Sequence, residues 1–266
     1  MQDTFYVNGL YVEHVKPYGD DQRHRRPILL IHGAGHGAWC WEGWMATLPT
    51  LGWEAYALSL RNHPGSRTVF WPDYLARLRI EDYADDAEAV LNHISRPPIV
   101  IGHSMGGLVA QSLAARRGRA GRPVGGLVCL AAAQPGALGP MRDAPLPTDT
   151  AYWLTEDVAR QRYFHNTSEA VVKRALARLV PESPSVMNQY SLAPGVEVKP
   201  ADIRSPVLCV TAENDGTTVP KDRRLADYYG ADYLHYKNTG HDMMLESNAD
   251  AILKDVLDWA DKKARA

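Results

Sequence analysis

Ser104 lies in the segment Gly-His-Ser-Met-Gly, which follows an apolar run and precedes a stretch of helix-forming residues. On a sharp turn from a strand into a helix, a serine hydroxyl is held out over the end of the sheet. The residues two before and two after the serine must then be small, and Gly102 and Gly106 meet that need. Because such a motif also arises by chance in glycine-rich loops, the strand and helix around it carry the prediction that Ser104 is a nucleophile. The same turn would aim the amide of Met105 at a developing oxyanion.

A serine hydroxyl needs a neighbouring base, and that base needs a carboxylate to hold its ring. Among the ten histidines, His241 lies in a glycine-containing loop after the last predicted strand, from which a side chain can reach toward Ser104. His32 and His103 flank glycines in two turns, and we expect them to support loop conformation. His241 is therefore the predicted general base.

Two carboxylates follow the strand predicted at 206–211. Asp215 comes a short turn after that strand, and Glu213 lies two residues closer to it. The positions favour Asp215 as the acid and leave Glu213 as the alternative. Asp242 is too close in sequence to His241 to orient its ring easily, and we expect it to structure the loop.

Strand and helix patterns alternate along most of the chain. Short apolar runs predict strands that are covered on both faces, and apolar residues at helical spacing predict helices between them. This alternation predicts an α/β fold with a doubly wound, mainly parallel sheet and chemistry at the carboxyl ends of the strands. The predicted elements are a hairpin at 5–15, strands at 28–32, 54–60, 124–131, 206–211 and 232–236 with one starting at residue 99, and helices at 41–51, 80–94, 108–116, 221–229 and 248–262.

Four blocks of the sequence resemble the α/β-hydrolase family, at residues 29–35, 102–107, 207–215 and 238–242. They occur in the family's order of nucleophile, acid and histidine. The resemblance implies that the acid is Asp215, because the family's acid comes late in this turn, ahead of a segment like Thr218-Val219-Pro220. It also places the second donor of the oxyanion hole at Ala34. The Gly-x-Gly of that loop lacks the acidic partner of a nucleotide-binding fingerprint, so we expect no cofactor.

Residues 134–200 interrupt the alternation, with many prolines and helical segments such as 168–176. In the family that the chain resembles, such an insertion looks like a cap that narrows access to the site and contacts the substrate. We therefore expect an α/β-hydrolase core at 1–133 and 201–266 and a helical cap at 134–200. The predicted substrate contacts are Gly35, Trp39, Tyr152 and Trp153.

Charge and cysteine content exclude several classes of protein. The 29 lysines and arginines balance 31 acidic residues, so no global charge attracts nucleic acid or an anionic membrane, and the cluster 23–26 is expected on a solvated turn. Three cysteines cannot close a disulfide framework, and none has the spacing of a metal site. No signal peptide or integral membrane segment is visible. We expect a cytoplasmic monomer or homodimer that acts on a small molecule.

The reaction follows from resemblances within the family. A serine nucleophile argues against the epoxide hydrolases and haloalkane dehalogenases, which use aspartate. Residues 36–41 resemble the plant hydroxynitrile lyase and methylesterase group, but the lyases carry a lysine where this chain has Asp242. Residues 102–107 and 60–66 resemble the monoacylglycerol lipase and lysophospholipase-like branch, whose Gly-His-Gly is Asn62-His63-Pro64 here. We expect a carboxylic ester hydrolase; a lactonase or acyl thioesterase is the alternative, ahead of a lyase or a non-catalytic receptor.

Overall fold

The N-terminal hairpin is formed by β1 (Gln2–Val7) and β2 (Leu10–Val15), which pair antiparallel. Asn8 and Gly9 connect them with φ angles of 51° and 77°. A two-residue hairpin turn of this kind needs positive φ at both positions, which asparagine and glycine tolerate better than other residues. The predicted hairpin is confirmed. The computed structural model describes residues 2–18 and 25–264.

Eight strands form one sheet in the order β1-β2-β4-β3-β5-β6-β7-β8. The hairpin pairs antiparallel with β4, and every later pair is parallel. The carboxyl ends of the parallel strands therefore share one edge, where loops carry the candidate site. The strands after the hairpin are β3 (Ile28–Ile31), β4 (Ala55–Leu58), β5 (Ile99–His103), β6 (Gly126–Leu130), β7 (Val207–Ala212) and β8 (Asp232–Tyr236).

Helices cover both faces of the sheet, as a doubly wound fold requires. Alternate residues of the central strands face two separate cores: Leu29 packs in the core with α3 and α4, and Leu30 packs in the core with α1 and α9. This explains why the central strands read as continuous apolar runs. The helices are α1 (Glu42–Thr47), α2 (Trp71–Ala76), α3 (Ile80–Leu91), α4 (Met105–Arg119), α5 (Glu156–Tyr163), α6 (Glu169–Leu176), α7 (Pro184–Ser191), α8 (Arg224–Tyr229) and α9 (Ala249–Lys263).

The predicted α/β fold is confirmed, although several boundaries differ. The helix expected at 41–51 is α1 flanked by two short 3₁₀ turns, because Pro49 near its end cannot donate to an α-helical ladder. Helix α8 begins at Arg224 instead of 221, and α4 extends beyond the predicted 108–116 at both ends. Helix α2 was not predicted.

The segment 134–200 contains α5, α6 and α7 between β6 and β7. Its backbone contacts the loops at the carboxyl edge of the sheet. The carbonyl of Arg162 accepts a hydrogen bond from Gly216 at 3.1 Å, and that of Tyr163 accepts one from Asp242 at 2.9 Å. The amide of Val180 donates to the carbonyl of Gly35 at 2.9 Å. The insertion thus lies against three loops of the candidate site.

The structure bears on three expectations from the composition, which concern the cysteines, the basic cluster at 23–26 and membrane-spanning helices. Cys40, Cys129 and Cys209 are buried free thiols in the described part of the chain. Arg25 lies over the ring of Trp53 at 5.0 Å, whereas Arg23 and His24 of the basic cluster lie outside the described residues. None of the described helices combines the length and hydrophobicity needed to cross a bilayer.

Candidate active site

Ser104 occupies a tight turn between β5 and α4. Its φ is +53°, a left-handed value that non-glycine residues rarely adopt. A Cβ atom built on Gly102 would collide with the carbonyl of Gly106, and one built on Gly106 would collide with the carbonyl of His32. The two glycines are therefore required by close backbone approach, as the sequence motif predicts.

Backbone hydrogen bonds hold the strained serine in place. The Ser104 amide donates to the carbonyl of Leu130 at the end of β6, at 3.1 Å. The Ser104 carbonyl accepts from Ala133 at 2.9 Å. These bonds to the neighbouring strand and its following loop offset the cost of the unfavourable φ, and they fix the direction of the half-buried side chain.

His241 and Asp215 form a buried pair. The Nδ1 atom of His241 lies 2.6 Å from Oδ2 of Asp215, which is 2 % exposed. The other carboxylate oxygen accepts from the amide and the hydroxyl of Thr217, both at 2.7 Å. Burial raises the pKa of Asp215, but His241 and Thr217 outweigh it and leave the pKa below its usual value. The carboxylate stays charged and fixes the proton on Nδ1 of His241, so Nε2 can accept another.

Glu213 lies away from this pair. Its side chain is exposed, and its Oε2 accepts from the amide of Asn238 at 3.2 Å. Of the two carboxylates considered from the sequence, the structure thus brings Asp215 and not Glu213 to the ring of His241.

The N-terminus of α4 and the loop that contains Ala34 both lie beside Ser104, where the sequence predicts the oxyanion hole. Met105 is the first residue of α4, so no carbonyl one helical turn earlier can accept from its N–H. The loop with Ala34 lies beside the serine, since a Cβ atom on Gly33 would stand 2.9 Å from Cβ of Ser104. Anions are favoured at such a helix N-terminus.

A second buried histidine–carboxylate pair was not found from the sequence. His36 Nε2 lies 3.1 Å from Oδ2 of Asp242, and its Nδ1 lies 2.8 Å from the carbonyl of Ala34. Because both partners can only accept, the ring donates from both nitrogens and is an imidazolium. Burial lowers the pKa of His36, but Asp242 outweighs it and raises the pKa. Asp242 does structure its loop, and it does so by a contact with the loop that contains Ala34.

His32 and His103 are buried neutral rings. His32 Nδ1 donates to the carbonyl of Gly33 at 2.8 Å, and its Nε2 accepts from the amide of Leu60 at 3.0 Å. His103 Nε2 donates to the carbonyl of His241 at 3.0 Å. Burial and the nearby His241 lower the pKa of His103 to about 3. As expected from the sequence, both rings support loops.

The buried His103 makes stability sensitive to acid. Its pKa in the folded state is about 3, against an ordinary value of 6.5. Below the ordinary value the unfolded chain binds a proton that the folded protein does not, so stability falls as the pH falls. We expect His103→Gln to reduce the slope of the unfolding free energy against pH by up to about 1.4 kcal/mol per pH unit in this window. Urea unfolding at a series of pH values measures that slope, and an unchanged slope would contradict the assignment.

A pocket beside the Ala34 loop brings together part of the predicted substrate surface. It is lined by Gly35, Tyr152 and Trp153, with Tyr163 of α5. Trp39, also predicted to contact substrate, is not among its lining residues. Trp39 is buried, stacks on His36 and lies under the guanidinium of Arg178 at 4.9 Å. It lies in the 3₁₀ turn at 38–41 that follows the loop, and its contact with substrate stays a prediction.

Within residues 2–18 and 25–264, one cluster offers atoms that a metal could use. Single ligand atoms of His103, His241 and Asp242 lie within 4.8 Å of one another. His103 already donates to a backbone carbonyl, Asp242 pairs with His36, and His241 pairs with Asp215. This hydrogen bonding favours a network of positioned side chains over a metal centre.

The chain is similar in part to curated proteins. It is 34% identical over 89 residues to protein phosphatase methylesterase 1 of Rattus norvegicus, which covers 33% of this chain and 23% of that protein. It is 36% identical over 116 residues to a probable esterase, PIR7A, of Oryza sativa subsp. indica, which covers 41% and 40%. The matches thus span less than half of the length of these relatives.

Solved structures share the fold along nearly the whole chain. The methylesterase MES16 from Arabidopsis superimposes with a TM-score of 0.72 at 18% identity, covering 89% of this chain and 99% of that one. An enol-lactonase from Burkholderia xenovorans LB400 gives 0.70 at 20% identity, with coverages of 97% and 100%. The family model described as "Alpha/beta hydrolase family" matches residues 28–255. Together with the eight-stranded sheet and the serine turn at its edge, this match shows that the chain belongs to the α/β-hydrolase family.

Proposed function

We propose that this protein hydrolyses carboxylic esters by a Ser-His-Asp mechanism with a covalent acyl-enzyme. The observation that carries the proposal is the 2.6 Å contact between His241 and Asp215. The loop with His241 lies next to the strained turn of Ser104, since the His241 carbonyl accepts from His103 at 3.0 Å. The ring is oriented with its free nitrogen away from the acid, as a general base requires. The methylesterase and esterase names among the relatives support an ester as substrate.

The reaction then proceeds in two halves. Nε2 of His241 takes the proton of Ser104 as Oγ attacks the carbonyl carbon, and the amides of Met105 and Ala34 donate to the oxyanion that forms. The intermediate collapses, the bond to the alcohol oxygen breaks, and His241 returns the proton to that oxygen. A water molecule, deprotonated by His241, attacks the acyl-enzyme and releases the acid and the free serine. No cofactor takes part in these steps.

We propose that residues 134–200 act as a cap, on a core formed by 1–133 and 201–266. The insertion contacts the loops of the candidate acid, base and oxyanion hole through Arg162, Tyr163 and Val180. Tyr152 and Trp153 line the adjoining pocket, so the cap would provide the apolar surface for substrate. A cap in this position also excludes water from the oxyanion.

The same residues could also hydrolyse lactones and acyl thioesters, since both have a carbonyl carbon bonded to a leaving group that Ser104 can attack. A hydroxynitrile lyase fits the charges less well. Such a lyase needs a cation to stabilise departing cyanide, whereas Asp242 next to the base is a carboxylate paired with the His36 imidazolium. Hydrolysis is therefore the reaction we propose.

The acyl-enzyme distinguishes hydrolysis from cyanohydrin cleavage. We expect a phosphonate ester to label Ser104 stoichiometrically, because the reagent stops at the first covalent adduct. We also expect a burst of alcohol from nitrophenyl esters wherever deacylation is slow, and no cyanide from mandelonitrile or acetone cyanohydrin. Mass spectrometry of the labelled peptide, stopped-flow absorbance and cyanide detection measure the three results.

Cyanide release without any adduct on Ser104 would contradict the proposal. A panel of methyl and nitrophenyl esters, lactones and acyl thioesters of graded chain length then ranks the carbonyl substrates. If the enzyme prefers lactones or thioesters, the proposed mechanism still holds, but the proposed substrate class changes from esters to that class.

A further inference from the structure

The peptide that joins Ala34 to Gly35 is held at both of its polar ends. The carbonyl of Ala34 accepts from Nδ1 of the His36 imidazolium at 2.8 Å. The amide of Gly35 donates to Oε2 of Glu182 at 3.3 Å. A cation at the oxygen and an anion at the nitrogen fix the plane of this peptide more firmly than neutral partners would.

Glu182 belongs to the insertion, and both oxygens of its carboxylate accept hydrogen bonds. It is 1 % exposed. Its Oε1 accepts from the hydroxyl of Tyr83 and from the amide of Ser183, both at 2.7 Å, and its Oε2 accepts from His63 at 3.1 Å besides Gly35. A buried carboxylate is stable only with such partners, because an unpaired charge in the interior loses its hydration without compensation.

His63 contacts this carboxylate from the loop that follows β4. Its Nδ1 lies 2.9 Å from the carbonyl of Arg61, and its Nε2 lies 3.1 Å from Glu182. Each ring nitrogen thus lies within hydrogen-bond distance of an acceptor oxygen. His63 is the histidine of the altered Asn62-His63-Pro64 segment, for which the sequence offered no role.

We propose that Glu182 is a positioning residue for the oxyanion hole. From the insertion it holds the amide of Gly35, and with His36 it fixes the peptide that follows Ala34, whose own amide donates to the oxyanion. The neighbouring hydrogen bond from Val180 to the Gly35 carbonyl comes from the same segment. The oxyanion hole therefore takes its final geometry only when the segment 180–182 packs against the loop that contains Ala34. This inference rests on the proposed ester hydrolysis for its kinetic consequences.

Glu182→Gln tests the proposal. A carboxamide is uncharged and has one oxygen, so it either turns its NH₂ group toward the Gly35 amide or, with its oxygen there, holds that amide by a neutral hydrogen bond weaker than the charge-assisted one. We expect kcat to fall by about 10- to 100-fold, somewhat less than the loss of a whole oxyanion donor, with KM changed far less. A boronic acid that mimics the tetrahedral intermediate should bind more weakly by a similar factor.

Tyr83→Phe is the matched control. It removes one donor from the other oxygen of the same carboxylate and leaves the contacts with His63 and Gly35 in place. We expect it to lower thermal stability with kcat nearly unchanged. Hydrogen exchange of the Gly35 amide, followed by NMR, gives a readout without catalysis: it should stay slow in wild type and Tyr83→Phe and become faster in Glu182→Gln.

Two results would overturn the proposal: wild-type kcat and Gly35 exchange in Glu182→Gln, or an equal loss of kcat in both variants at matched stability. If wild type neither hydrolyses esters nor reacts with phosphonates at Ser104, the proposed function fails. The exchange experiment then still decides whether Glu182 holds the Gly35 peptide.

Discussion

Ser104→Ala is expected to abolish ester hydrolysis while the protein stays folded. The hydroxyl is the only part of the side chain that the variant loses, and the alanine methyl fits where Cβ already lies. Without the nucleophile, only binding and the oxyanion hole remain, so kcat should fall by about 10⁶. Steady-state kinetics with a nitrophenyl ester measure the loss, and circular dichroism and thermal unfolding report the fold.

Ser112→Ala provides a matched control in α4, the helix that follows the serine turn. The Ser112 hydroxyl is buried and has no hydrogen-bond partner among the described residues, so its removal leaves no group unpaired. We expect full activity from this variant. A folded Ser104→Ala protein with the same full activity would refute the serine mechanism.

The sequence predicts the serine turn well because the constraint is local. The strained φ of Ser104 and the close approach at Gly102 and Gly106 involve residues that are neighbours along the chain or on one adjacent loop. The alternation of strands and helices is predicted equally well, since each apolar segment is long enough to show the hydrophobic pattern of a strand or a helix. Several strand and helix boundaries differ from the prediction, and the short α2 was not predicted. At helix ends, 3₁₀ turns and prolines compete with the α-helical ladder.

The buried histidine–carboxylate pairs around the serine could not be predicted from the sequence. His36 pairs with Asp242, and His63 pairs with Glu182, across 206 and 119 residues respectively. A histidine or carboxylate gives no sign in the sequence of whether its partner is solvent or a buried counter-charge. The partner depends on which distant loops pack together, two loops of the core for His36 and a core loop with the insertion for His63, and this is a property of tertiary packing.

The second large effect is expected when the predicted acid, Asp215, is replaced. We expect Asp215→Asn to keep the protein folded and to reduce kcat by about 10⁴. The carboxylate now accepts from His241 on one oxygen and from Thr217 on the other. An amide can serve only one of them as acceptor. If its NH₂ faces His241, it donates to Nδ1, and the ring then carries its proton on Nε2, where it cannot accept from Ser104.

Glu213→Gln is the matched change two residues earlier. Glu213 is exposed and contacts the Asn238 amide, a bond that a glutamine oxygen can also accept. We expect kcat to change by less than about threefold, because an exposed substitution of this kind changes the free energy of unfolding by no more than about 0.5 kcal/mol and leaves the contact between His241 and Asp215 in place. The pair of variants, compared under one set of conditions, separates the two carboxylates that the sequence left open. A large loss in Glu213→Gln with little change in Asp215→Asn would assign the acid to Glu213 and would make the 2.6 Å contact of Asp215 with His241 structural rather than catalytic.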